Sequence, residues 1–374
     1  MKNKLIVTAL LIFTFGKVFG QWNFNLSTDH EYNDNPFHSP FPEPSFISSV
    51  SYGLERDLNI LSVGYYGSFI NFNANSARNF YWHQLSASRD QENCSYGIYA
   101  EQRIEKDIYT YFNYWNFTSY FRQQFYWGDF YFSVNPNFSL TRYSEISILD
   151  NLKGAFNFQI NKGFETGTTI IAGGAFNYKK YLDPTQHGTY SFLDANNILV
   201  TESYTDRNVS SLSQITSYFR LSQSITETTG LAVQFTNRSI INGVANYAKD
   251  LNLVYGDESE IFDDPVNTEG NNYSAEFTQL LFRDLEVKAA FYLNYKNYPS
   301  QGLYDELGNY ATSLMRADIQ KVFNLSIKKS IPIRFLGGTN LSLGINYQNI
   351  INTSNSIWYN YQNSSLGVSF SFEL

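Results

Sequence analysis

The 374-residue sequence predicts an all-β chain, a transmembrane antiparallel up-and-down β-barrel of about sixteen strands, and three observations carry that prediction. Apolar and polar residues alternate with a period of two along most of the chain. Aromatic residues reach 18%, with 30 Tyr and 32 Phe, although the mean hydropathy is only −0.33. Short turn-forming stretches also take turns with long polar ones. Successive side chains of a strand point to opposite faces, so a period of two means one oily face and one wet face. A soluble domain this rich in Tyr and Phe hides them in a core, whereas a membrane barrel spreads them over its lipid face and two interfacial girdles around a polar lumen.

The first twenty residues read as a signal peptide. Lys2 and Lys4 precede an apolar run from Leu5 to Phe15, and Val18-Phe19-Gly20 offers a cleavage site before Gln21. The chain is therefore expected to be exported, with residues 21–374 forming one barrel domain. The apolar run is too short to span a bilayer as a helix, and nothing after it reaches the roughly 18 to 20 apolar residues that a transmembrane helix needs. Cys94 is the only cysteine, which excludes an intramolecular disulfide scaffold, and no Cys follows the cleavage site to take a lipid anchor.

Candidate strands follow one another through the mature chain, and no amphipathic helix of convincing length interrupts them. Clear outward faces are Leu61-Val63-Tyr65-Phe69, Phe130-Phe132-Val134-Phe138-Leu140, Leu152-Phe156-Phe158-Ile160, Leu231-Val233-Phe235, Val287-Ala289-Phe291-Leu293-Tyr295 and Leu341-Leu343-Ile345-Tyr347. The residues between them, such as Ser133, Asn135, Asn137 and Ser139, or Ser342, Gly344, Asn346 and Gln348, would face water in a lumen. Pro136 cannot donate to a ladder, so its strand should be bulged or distorted there.

Tight turns are expected at Glu55-Arg56-Asp57, Trp127-Gly128-Asp129, Glu165-Thr166-Gly167, Thr226 to Gly230, Phe282-Arg283-Asp284 and Gly337-Gly338-Thr339. Longer loops are expected at Asp29 to Ser45, Leu182 to Asn208, Gly243 to Asn271 and Pro299 to Tyr310. Sixteen strands fit between these marks, and fourteen also fit if the segments from Phe80 to Phe125 divide differently. An even number puts both termini on the same side.

The chain closes on Ser365-Leu366-Gly367-Val368-Ser369-Phe370-Ser371-Phe372-Glu373-Leu374, a strict alternation. It resembles the C-terminal targeting strand of bacterial outer-membrane β-barrels, with Ser365, Gly367, Phe370 and Phe372 in the polar, glycine and two hydrophobic places. Leu374 stands where the commonest form ends in an aromatic residue. The resemblance implies short periplasmic turns, long extracellular loops and recognition by the barrel-assembly machinery. It also implies an outer-membrane location among outer-membrane lipids and lipopolysaccharide.

If the outward faces are right, the lumen receives Tyr99, Glu101, Arg103, Arg122, Tyr131, Tyr218, Arg220, Glu276, Lys288, Arg316 and Asp318, with Lys153, Arg238, Tyr120 and Tyr292 among them. Opposed charges across a constriction would orient polar solutes, and rings beside Arg could stack on sugars. The same residues could equally form hydrogen bonds and ion pairs that only fill a polar interior. A long loop, either Leu182 to Asn208 or Gly243 to Asn271, could fold into the lumen.

The loop from Gly243 to Asn271 carries Asp257, Glu258, Glu260, Asp263 and Asp264, which is ligand chemistry for Ca²⁺. Its spacing is not that of an EF-hand, and a solvated acidic loop accounts for it as well. No cofactor is expected. The four His, His30, His38, His83 and His187, lie without a nucleophile-elbow motif, so an enzyme is not expected either. A lipid-modifying activity would require a His and a Ser to converge at the outer-leaflet edge. A net charge of −8 argues against nucleic acid. The leading expectation is a pore for passive or facilitated passage of small polar solutes. The alternative is the barrel of a polysaccharide or protein export system working with a periplasmic partner.

Overall fold

The computed structural model describes residues 22–183, 186–193, 199–206, 210–246, 264–305, 310–333 and 339–373. Among these residues eighteen strands follow in chain order. They are β1 (Trp22–Asn33), β2 (Ser45–Asp57), β3 (Ser62–Phe72), β4 (Phe80–Gln91), β5 (Cys94–Ile104), β6 (Tyr114–Trp127), β7 (Phe130–Tyr143), β8 (Asn151–Gly163) and β9 (Thr168–Tyr181), then β10 (Gln186–Leu193), β11 (Leu199–Asp206), β12 (Ser211–Thr226), β13 (Thr229–Gly243), β14 (Gly270–Leu281), β15 (Leu285–Tyr304), β16 (Tyr310–Ile333), β17 (Thr339–Ser354) and β18 (Tyr361–Glu373).

Sixteen of them close into one antiparallel barrel, in which each strand pairs with its chain neighbours. β10 and β11 stand apart as a hairpin between β9 and β12, which themselves pair directly. Closure is made by the terminal strand: β18 lies against β1, with Leu26 opposite Phe372 and Thr28 opposite Phe370. A closed barrel leaves no unpaired edge, the condition for crossing hydrocarbon with strands.

One end of the barrel is built from tight connections. Gln91 leads to Cys94, Trp127 to Phe130 and Thr226 to Thr229 with two residues or so between strands. Gly167 takes φ +74 in the β8–β9 turn, a conformation that costs glycine nothing. The expected turn at Glu55-Arg56-Asp57 moves outward, because β2 continues to Asp57 and the chain reverses at Leu58–Leu61 around Asn59, φ +61. Gly337 and Gly338 lie outside the described residues.

At the other end the connections are longer, and five carry short 3-10 turns: Ser76–Arg78, Asp107–Phe112, Ser147–Leu149, Pro265–Asn267 and Ile357–Tyr359. Here polar composition shortens the expected strands. Asp29 to Asn33 belong to β1, Pro299 to Tyr304 to β15, and Gly270 and Asn271 to β14. A ladder needs only its backbone partners, so it runs on past the apolar belt into residues that water can wet. The Phe80 to Phe125 region resolves into β4, β5 and β6, because Glu92 and Asn93 make a two-residue turn. That fixes the number at sixteen. At Pro136 the β6–β7 pairing lapses between Tyr120↔Asn137 and Gln123↔Val134, yet the register is the same on both sides. The missing N–H therefore interrupts the ladder without inserting a residue.

Outside, the barrel presents a belt of exposed apolar side chains, among them Leu85, Ile98, Phe117, Phe138, Phe156, Phe219, Val233 and Leu366. Every one alternates with a less exposed, mostly polar neighbour on the inner face. Among the described residues the buried apolar side chains form no central core, and three clusters of them lie at the long-loop end.

Candidate functional site

The inner face is assembled strand by strand from residues that alternate with the exposed belt. On β5, Tyr96 and Ile98 are exposed, which places Tyr99, Glu101 and Arg103 inside. The same parity puts Arg122 (β6), Tyr131 (β7), Lys153 (β8), Tyr218 and Arg220 (β12), Arg238 (β13), Glu276 (β14), Lys288 and Tyr292 (β15), and Arg316 and Asp318 (β16) on inner faces.

The structure brings several of these together. Arg220 donates twice to Glu276, at 3.1 and 2.7 Å, a forked pair spanning β13. Fork-on-carboxylate geometry makes this the strong form of an ion pair. Tyr218 donates to Gln159 at 2.9 Å, and it has room because Gly173 faces it: a Cβ there would meet the Tyr218 hydroxyl at 2.6 Å. Arg122 donates to the Tyr131 hydroxyl at 3.3 Å, and Tyr114 donates to Glu101 at 2.6 Å. Lys288 pairs with Glu286 at 3.1 Å.

Arg103 pairs with Glu105 and lies 4.0 Å from the Phe80 ring centre. Glu105 follows the end of β5, and its burial pushes the carboxyl above its ordinary range, more than Arg103 and Arg78 pull it down. Arg316 is fully buried between the Tyr298 and Tyr359 rings, with Asp318 and Gln301 on its guanidinium, and so ties the β17–β18 connection to β15. Arg316 and Asp318 are thus removed from any open lumen surface, whereas Arg220 and Glu276 keep about a quarter to a third of their side chains exposed, 26% and 32%.

Charge is distributed unevenly around the wall. Asp29 and Glu31 on β1, Glu55 on β2 and Glu101 on β5 occupy the arc β1 to β5. Lys153, Lys179, Arg220, Arg238, Lys288 and Lys296 lie on the arc β8 to β15 that faces it, and the inner charges of opposite sign on these arcs, Arg103 on β5, Glu276 on β14 and Glu286 on β15, stand in ion pairs.

The long-loop end is narrowed by a segment that neither expected loop supplies. Tyr109 and Phe112, between β5 and β6, share one buried cluster with Tyr304 of β15, Ile350 of β17, and Tyr359 and Tyr361. Along the wall, β18, β1, β2, β3 and β4 separate β17 from β5, so this contact is made across the mouth. A sequence signal existed in Asp107-Ile108-Tyr109-Thr110-Tyr111-Phe112, which is too aromatic for a solvated loop. The Gly243 to Asn271 loop contributes its two ends, since Ala245 and Val266 pack with Leu212. The Leu182 to Asn208 segment carries the β10–β11 hairpin.

Asp264 does not behave as part of an open acidic loop. Its carboxylate takes Lys179 Nζ at 2.7 Å and the Val266 N–H at 3.0 Å, both within the protein interior. Burial raises its carboxyl, but Lys179 and Lys153 outweigh that and draw it down to about 2. Asp257, Glu258, Glu260 and Asp263 lie outside the described residues, and among the described residues no cluster of metal-ligating side chains occurs.

His30 Nδ1 and Ser48 Oγ stand 3.0 Å apart as directly opposed residues on the outward faces of β1 and β2. Among the described residues no carboxylate is hydrogen-bonded to that imidazole, and the surrounding N–H groups belong to ladders, so the pair has neither an orienting acid nor an oxyanion site. His83 bonds the Tyr65 hydroxyl at 2.8 Å in an outward aromatic group, and His38 stacks on Tyr361. His187 lies on β10, whose side chains are outside the described set. Of the terminal motif, Phe370 points outward, while Ser365 and Gly367 lie on the inner face beside β1.

No protein-family model and no curated protein matches the chain. Solved structures do. They include Acinetobacter baumannii OccAB1, at 8% identity and a TM-score of 0.48 over 95% of this chain and 96% of that one. Pseudomonas aeruginosa OccK8 (OprE) matches at 8% and 0.47 over 95% and 98%. A bacterial polysaccharide outer membrane secretin matches at 5% and 0.45 over 94% and 97%. By its own geometry, with sixteen antiparallel strands closed into a ring, an apolar belt outside and charged side chains within, the chain is a β-barrel of the bacterial outer-membrane type.

Proposed function

We propose that this protein is an outer-membrane pore that passes small polar solutes by facilitated diffusion. The single observation that supports it most is the division of charge inside the barrel. Asp29, Glu31, Glu55 and Glu101 stand on the arc β1 to β5, and Lys153, Arg220, Arg238 and Lys288 on the opposite arc β8 to β15. In a narrow low-dielectric tube, fixed charges of opposite sign on facing walls set up a transverse field. A dipolar solute that aligns with it exchanges part of its hydration for wall contacts, while an apolar one loses water and gains nothing. The Arg220–Glu276 pair stands on the basic wall with both groups part-exposed, so it can trade its partner for a passing carboxylate or ammonium.

In this reading the exported chain is handed by its terminal strand, Ser365 to Phe372, to the barrel-assembly machinery, and the outward belt is covered by outer-membrane lipids and lipopolysaccharide. The test is single-channel recording of the purified full chain in planar bilayers under a salt gradient. Stable steps are expected, with a reversal potential that shifts toward anions for Glu276→Gln and toward cations for Arg220→Gln. A folded, heat-modifiable protein that stays electrically silent would overturn the pore.

A further inference from the structure

The segment at the mouth is held by a residue that the pore reading does not use. Arg78, in the connection between β3 and β4, is 5% exposed. Its guanidinium carbon lies 3.6 Å from the centre of the Phe37 ring, in the β1–β2 connection, and 4.6 Å from that of Tyr109, in the β5–β6 connection. A cation between two rings in a water-poor site gains from the quadrupole of both, and the planar fork of Arg stacks where a Lys ammonium cannot.

The placement of Arg78 is itself fixed. Asn75 Oδ1 accepts the Ala77 N–H at 3.1 Å and Asn79 Oδ1 accepts the Phe72 N–H at 2.8 Å, which pins both ends of the short turn that carries it. On one side Phe37 belongs to a buried group with Ile47, Phe72 and Phe80, rooted in β2, β3 and β4. On the other, Tyr109 belongs to the group that reaches Tyr304 of β15 and Ile350 of β17 on the far wall, and Tyr361 of β18. Arg78 is therefore the joint between the segment and the β1–β2 and β3–β4 connections. Thr110 adds a side tie, donating to Glu145 at 2.7 Å.

We propose that Asp107–Phe112 is a hinged cap over the long-loop mouth and that Arg78 is its latch, holding the cap against the β1–β2 connection, which buried hydrogen bonds from Asn35 and Asn363 fix to β18. The seat is apolar and aromatic, the latch is a cation stacked between two rings whose charge also acts on the Glu105 carboxylate, and Thr110 on Glu145 and Lys106 over the Tyr81 ring add exposed side contacts. Losing the latch should free the cap while leaving the sixteen-stranded ladder, to which Arg78 contributes no rung, in place.

The experiment uses the full chain in detergent micelles with two readouts, and only the second rests on the pore reading. The first is the rate of tryptic cleavage after Lys106, an exposed residue at the root of the segment, located by mass spectrometry. A native loop is cut from its open population, so the rate reports latching. Arg78→Ala is expected to speed this cut about tenfold or more, because two desolvated ring contacts are lost together. Arg78→Lys, which keeps the charge and forfeits the stacking, should fall between. The second readout is single-channel conductance, expected to rise at least about twofold in Arg78→Ala. An unchanged rate of cutting after Lys106 in both variants would overturn the latch. Faster cutting with silent channels in every variant would keep the latch and overturn the pore. If Arg78→Ala does not fold, Tyr109→Leu removes the other half of the joint, and an unchanged rate there overturns the latch equally.

Discussion

Removing one partner of the buried pair Lys179 and Asp264 should be among the most damaging single substitutions in the chain. The side chains are 1% and 2% exposed, and Nζ meets Oδ2 at 2.7 Å. Asp264 also starts the turn at Pro265–Asn267 by accepting the Val266 N–H at 3.0 Å. Asp264→Ala leaves a buried ammonium without its carboxylate, which costs about 3–5 kcal/mol, and the turn cap adds about 1 kcal/mol. Lys179→Met with Asp264→Leu removes both charges at similar volume, so the double variant should recover most of that loss.

The pH dependence follows from the same geometry. Asp264 titrates at about 2 when folded, below its ordinary value of 3.8, so its contribution is fully present above pH 4 and is lost as pH falls through about 2. The assays are urea unfolding of the full chain in micelles at pH 7 and at pH 3, and hydrogen exchange at the Val266 amide. A single variant within about 1 kcal/mol of wild type, or a double variant no better than the single, would refute the reasoning.

Three further outcomes are expected. Phe370→Ser with Phe372→Ser should abolish membrane assembly with the leader still removed, because both residues stand in the strand that closes the ring against β1; fractionation and heat-modifiability check it, and normal assembly counts against the terminal motif. Gly243→Ala should lower the thermal midpoint in the same gel assay, since Gly243 has φ +100 and a Cβ there would lie 1.9 Å from the Ser211 carbonyl oxygen; an unchanged midpoint would show that the β13 end can relax. Tyr218→Phe should change conductance at an unchanged thermal midpoint, because it removes the hydroxyl that bonds Gln159; wild-type conductance would place Tyr218 outside the solute path.

The sequence by itself determined the architecture, and it did so through side-chain parity. Strand period, turn chemistry and the terminal alternation are local properties, so Leu231-Val233-Phe235 points outward and Arg220 inward whatever the rest of the chain does. Parity put Glu101, Lys153, Arg220, Arg238 and Lys288 on inner faces, whereas Asp29 and Glu31 read as loop and Glu55 as a turn. Strand ends were less legible: Asp29 to Asn33 look like loop to a reader of composition, yet backbone pairing with β2 and β18 holds them in the ladder. What only the tertiary structure decided is where distant connections meet. Nothing in the chain around Arg78 announces Phe37 and Tyr109, and Lys179 and Asp264 lie 85 residues apart in unrelated surroundings. Those contacts depend on the order of strands in the ring, which sets neighbouring connections side by side at the mouth, and its closure lets one aromatic segment reach across it.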